Sequence, residues 1–188
     1  MRNLYLAAAM LACATSAQAA ETYIIDPAHT YPNFKISHLG FSTMHGRFGD
    51  TKGELVIDWE KNRGSVDIVI DAASVDTGFK KRDDHLRSPD FLNAAEFPEI
   101  TYVSDDVVIH ADKTATVNGE LTIMGVSKPV TLAVKSINCG EHPMQKGTFV
   151  CGFDAEGKIK RSDFGVTYAL PAVGDEMKLE IEVEAKRK

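Results

Sequence analysis

MKLEIEVEAK, residues Met177–Lys186, alternates without a break. Met177, Leu179, Ile181, Val183 and Ala185 fall on one side, and Lys178, Glu180, Glu182, Glu184 and Lys186 on the other. Side chains that repeat every two residues mark a β-strand, here with one dry and one wet face. The pattern recurs upstream. PVTLAVKS carries Val130, Leu132 and Val134, and SVDIVID carries Val66, Ile68 and Ile70. ELVIDW carries Leu55, Ile57 and Trp59, and YPNFKISHL places Phe34, Ile36 and His38 together. Strands are expected near residues 22–26, 31–38, 44–59, 64–71, 99–104, 106–110, 114–124, 129–138, 148–159 and 177–186. Turn sequences separate many of them: KNRG at 61–64, ADKT at 111–114 and GVSKP at 125–129. Gly46, Gly49 and Gly53 predict bends or bulges within 44–59. Antiparallel one-sided strands in this number leave a sandwich or a closed barrel. A barrel removes exposed edges, and one of about eight strands is either filled by its side chains or holds one ligand.

One passage departs from the alternation: RDDHLRSPDFLNAAEFP, residues Arg82–Pro98. DTGFKKRDDHLR predicts a short helix with Asp76 as its cap. Phe79 and Leu86, seven apart, share one side, while Lys80–Asp84 and Asp83–Arg87 form four-apart charge pairs on exposed sides. Ser88 then caps a second turn that starts at Pro89, Phe91 and Leu92 point inward, and Pro98 ends the excursion. A helical connection between two strands is expected over one end of a barrel, as a lid with an apolar underside.

The first residues stand apart. Arg2, the uncharged run LYLAAAMLACA, and Ala17 and Ala19 before a cut have the layout of a secretory signal peptide, 1–19. That run is too short to span a bilayer, so no transmembrane anchor is expected. The remainder, 20–188, fits one domain exported into a bacterial periplasm. A net charge of −6 argues against nucleic acid and against an anionic membrane surface. Cys13 leaves with the signal peptide. Cys139 and Cys151 then form an even pair in an oxidising compartment, which reads as a disulfide; neither the C-x-x-C spacing nor a helix start favours a redox pair.

Four blocks carry a family likeness: FKISHLGFSTMHGRFGD (Phe34–Asp50), HLRSPDFLNAAEFPEITYVS (His85–Ser104), GELTIMGVSKPVTL (Gly119–Leu132) and FDAEGKIKRSDFGV (Phe153–Val166). In this order, after a signal peptide, they resemble the YceI family of exported bacterial proteins. The resemblance implies an all-β fold: an antiparallel, lipocalin-like β-barrel with a short helical segment over one end. It further implies an elongated apolar cavity that binds a long isoprenoid or related amphiphile, such as a polyprenyl chain or quinone. No reaction is attached to the family as a whole, and the cysteine pair lies outside its general pattern.

A long isoprenoid needs a dry tunnel, because each buried methylene is worth roughly 0.8 kcal/mol. Candidate wall residues are Phe34, Ile36, Phe41, Met44, Phe48, Phe91, Leu92, Phe97 and Phe164. Sequence leaves open whether they line a cavity or fill a core. A polar head needs a few donors at the mouth. His38 shares the face of Phe34 and Ile36, and a polar side chain on a dry face must find a partner or a ligand. The resemblance adds Arg82, Asp84, His85 and Ser88 as residues that hold the ligand or latch the lid; Arg87 lies beside them. Arg82 and Arg87 offer directional charged donors to a phosphate or carbonyl. The six histidines show no zinc-ligand spacing, and no cofactor is expected besides a bound isoprenoid or quinone-like lipid. No G-x-S-x-G elbow or glycine-rich phosphate loop appears. The expected function is lipid carriage without catalysis. The alternatives are a lipid-modifying enzyme with His38 or His85 as general base, and a structural stress-response protein with an incidental cavity. A homodimer is left open.

Overall fold

The computed structural model describes residues 19–188; the 1–19 signal segment and Cys13 fall almost wholly outside them. The elements are β1 (Glu21–Ile25), β2 (Tyr31–His38), β3 (Ser42–Phe48), β4 (Thr51–Asp58), β5 (Arg63–Asp71), β6 (Val75–Asp76), α1 (Lys80–Leu86), β7 (Glu99–Ile109), β8 (Ala115–Ile123), β9 (Val126–Glu141), β10 (Phe149–Lys160) and β11 (Val173–Arg187). Eight strands close a ring in the order β1–β4–β5–β7–β8–β9–β10–β11, with β11 returning to β1 through Tyr23 opposite Arg187. Every ladder is antiparallel.

The length of β11 explains the shape. Its C-terminal residues close on β1, while Met177–Glu182 pair instead with β2. The β2–β3 hairpin and the two-residue β6 therefore peel away from the ring at one end. The wall there is completed by α1 and the turns of residues 87–97.

Two strand boundaries differ from expectation. The 44–59 span is two strands, β3 and β4, separated at Gly49–Asp50 and paired with different neighbours. The inward phase changes there: Met44 and Phe48 face in on even positions, Thr51, Leu55 and Ile57 on odd ones. Conversely, 99–104 and 106–110 are one strand, β7, whose register shifts between Val103 and Asp106. Such a bulge bends the strand without ending it.

Glycines set the close approaches inside. A Cβ at Gly46 would collide with the Phe34 ring, and one at Gly119 with Tyr102. A large ring thus lies over a bare backbone on the next strand, which lets the sheet curl tightly. At the end where β11 closes on β1, Tyr23, Ile25, Leu55, Ile57, Cys151 and Ala185 pack as a floor. Cys139 and Cys151 are direct cross-strand partners on β9 and β10, joined as a disulfide with S–S 2.02 Å. Glu21 ties the floor together, accepting from Tyr23 at 2.5 Å, Trp59 at 3.0 Å and Arg187 at 2.8 Å. Burial, reinforced by Glu21, pushes the Tyr23 phenol up to about 12.

Candidate ligand cavity

The inward side chains of β11 decide between a filled and a hollow interior. Met177, Leu179, Ile181 and Val183 all point into the ring, yet none is fully buried. Ile36, Met44, Phe48, Ile68, Ile123 and Phe153 behave alike on other strands. In a packed core such residues would be covered by their neighbours. Here they surround an open space of ≈ 480 Å³ lined almost wholly by apolar side chains. From Val173 at the mouth to Val183 near the floor, β11 covers about 33 Å of strand, or roughly 25 Å along the axis at the usual barrel tilt. Tyr102 lies along the wall over β8 with its hydroxyl satisfied, within hydrogen-bond distance of Val117 O at 3.1 Å and Val130 O at 2.9 Å. Burial pushes its phenol up to about 12.

Of the nine candidate wall residues, Phe34, Ile36, Met44, Phe48, Phe91, Leu92 and Phe164 face this space. Two do not. Phe41 sits on the β2–β3 turn with 89% of its surface exposed, because the turn carries it outward between Leu39 and Gly40 at positive φ and the start of β3. Phe97 packs beside Gly125 on the β8–β9 turn, outside the cavity.

The polar candidates divide the same way. His38, Arg82 and His85 line the mouth. Arg82 donates from Nε to Thr77 Oγ1 at 2.7 Å and from Nη2 to Thr77 O at 2.8 Å. His85 Nε2 lies 2.8 Å from Asp90 Oδ2, and its ring stacks edge-on with Phe91 and Tyr168 at 5.0 and 5.2 Å. Asp84, Arg87 and Ser88 are absent from the lining, and of the three only Arg87 fastens the lid to the strand before it. Arg87 donates to Ala73 O at 2.6 Å and Val75 O at 2.8 Å, and Asp84 pairs with Lys80 at 2.7 Å and with Arg87 at 3.2 Å. Ser88 Oγ donates to His85 O at 2.7 Å, and the residues after it form turns without a second helix.

The lid differs from expectation in three further details. Asp76 does not cap α1; its carboxylate accepts from Gly78 N at 2.8 Å, and Phe79 occupies the cap position in extended backbone. Phe79 therefore lies outside the helical period and is 56% exposed, while Leu86 faces the cavity. Asp83 does not pair with Arg87 on the surface. It is buried, and its Oδ1 accepts from both the backbone N–H and the hydroxyl of Thr77. A first-turn carboxylate reaching back to the residues before the helix is what fixes the start of α1.

Arg161 escaped the sequence reading. Only 4% of it is exposed. It donates to Gly174 O at 2.8 Å, Val166 O at 3.0 Å, Tyr168 O at 2.8 Å and Val173 O at 3.0 Å. Burial draws the guanidinium below its ordinary range, opposed by Asp175. Its work is to hold residues 166–174 in the curve that brings Tyr168 to the mouth. Among the described residues, no group of three or more His, Cys, Asp or Glu side chains is placed to hold a metal ion.

A YceI-like domain matches residues 23–185, essentially the whole barrel. The chain belongs to the YceI-like family. Protein YceI of Salmonella arizonae is 44% identical over 181 residues, covering 94% of this chain and 92% of that protein. The crystal structure of Burkholderia cenocepacia BcnA superposes on this YceI-like barrel with a TM-score of 0.73 at 26% identity, over 85% of this chain and 98% of that one. A polyisoprenoid binding domain from Saccharophagus degradans, 17% identical, has the same fold with a TM-score of 0.64, over 88% and 98% of the two chains. The YceI-like assignment and the hollow barrel together describe one architecture, a closed ring of strands around an apolar cavity.

Proposed function

We propose that this chain holds a long isoprenoid lipid, a polyprenyl chain or prenylated quinone, in its barrel and carries it through the periplasm after export. The observation that carries this reading is the ≈ 480 Å³ apolar interior left unfilled by side chains that point into it. Ten methylenes buried there contribute about 8 kcal/mol before ordering costs, enough for binding without a strong polar contact. The polyisoprenoid-binding description of the Saccharophagus degradans domain supports the same class of ligand. His38, Arg82 and His85 stand where a carbonyl or phosphate head would meet them. The N-terminal segment and the Cys139–Cys151 bridge both suit an oxidising envelope compartment. Mass spectrometry of organic extracts from purified protein tests the reading. A co-purifying isoprenoid at near-stoichiometric amount is expected; protein that is free of lipid and takes up none when offered a polyprenol contradicts it.

A further inference from the structure

Phe41 was expected in the wall and stands in solvent instead. It crowns the β2–β3 turn with Leu39, which is 50% exposed, and neither side chain touches the cavity. The turn is nonetheless part of the mouth. His38, where it leaves β2, and Met44, two residues into β3, line the cavity. Leu39 N donates to Ala172 O at 2.8 Å, which fastens the turn to the 166–174 loop. That loop presents Tyr168, 47% exposed, whose ring meets His85 and Phe91. Leu39, Phe41 and Tyr168 therefore project from one rim around one opening. On the helix beside them Lys80 and Lys81 stand exposed, Lys80 paired with Asp84, while Arg82 and Arg87 are bonded to backbone carbonyls between residues 73 and 77.

From this we infer that the rim is a docking surface for a phospholipid bilayer, through which the cavity loads and unloads. The inference rests on the carrier reading above. Cargo of this kind resides in a membrane, so the mouth must approach one without drawing the tail through water. Isolated apolar side chains on turn tips suit insertion among acyl chains, and the exposed ammonium of Lys81 suits a phosphate headgroup. The contact is small, which makes it reversible.

The test places a tryptophan at the tip. The chain has one tryptophan, Trp59, hydrogen-bonded in the floor at the opposite end, so wild type is the internal control. With vesicles of phosphatidylethanolamine and phosphatidylcholine, Phe41→Trp emission should shift to the blue and be quenched by lipids bearing nitroxide on their acyl chains. Trp59 in wild type should change little. A Leu39→Ser/Phe41→Ser variant, with its melting temperature unchanged, should move a polyprenol between vesicles at least about tenfold more slowly, from the loss of two apolar anchors. No shift at position 41, or unchanged transfer by the double variant, overturns the docking surface. Uptake of the polyprenol from cyclodextrin separates the two readings. Normal uptake without a shift removes the docking surface and leaves the carrier standing; a shift without uptake removes the carrier.

Discussion

Replacing Leu179 with tryptophan distinguishes a hollow barrel from a packed one by the sign of its effect. Leu179 points inward on β11, opposite Phe34 on β2 and Gly157 on β10, and is only partly buried. Forcing extra atoms into a filled core costs about 1–3 kcal/mol. For a domain of this size that lowers the melting temperature by roughly 2–12 °C. Against ≈ 480 Å³ of open space the added ring meets no opposing side chain. It gains contacts along its own wall, so the melting temperature of delipidated protein should hold or rise. Binding should suffer instead. An indole that displaces three methylenes of a bound tail removes about 2.4 kcal/mol, near a fiftyfold weaker Kd. Ile68→Trp, on β5, should reproduce both effects. Thermal melts of lipid-free protein, paired with titration by a fluorescent polyprenol analogue, read the two quantities. A clear fall in melting temperature with affinity unchanged would mean that the interior is already full, and the reasoning would fail.

Other consequences follow from single residues. Cys139→Ser/Cys151→Ser opens a closed loop whose ends are 12 apart in sequence, and should cost at most about 3 kcal/mol in chemical denaturation; ladder contacts on β9 and β10 already restrain the loop, so a larger loss would contradict the structure. Arg161→Met strips four carbonyls of their donor and should destabilise by about 2–4 kcal/mol, with hydrogen exchange rising first across residues 166–174; uniform exchange would show that Arg161 does not hold that loop. Asp26 is held down to about 2, chiefly by its hydrogen bond from Lys186, assisted by His29. Its folded pKa lies below the unfolded value, so this contribution, about 1–2 kcal/mol, is complete above pH ~4 and lost as pH falls toward ~2. Lys186→Met should flatten that part of the stability–pH curve, and an unchanged slope would argue against the pairing.

What the sequence made legible was whatever repeats. Strand after strand, strict alternation marked an inner face, and Met177 to Ala185 keep that face in the folded chain. The Gly49–Asp50 break was missed in the single strand expected over 44–59, although the phase changes between Phe48 and Thr51. Alternation is silent on three matters. It marks which side is dry but not whether that side is filled, so the cavity depends on the circumference of the ring. It also cannot follow a turn: Phe41, one residue before β3, looks like its neighbours yet points away from them. Finally, it ignores long-range partners. Arg161 reads as one more surface cation, and only the wrapped 166–174 loop turns it into a buried anchor. Asp83 is the same kind of miss, since its partner Thr77 precedes the helix that presents it.

Diffraction from crystals of delipidated protein soaked with a long polyprenol tests the central claim most directly. Continuous tail density is expected that starts beside His38 and His85, passes between β2 and β8 and stops above Tyr23, with the wall side chains hardly displaced. An interior that has collapsed onto itself without the lipid, or a tail bound only on the outside of the barrel, would contradict it.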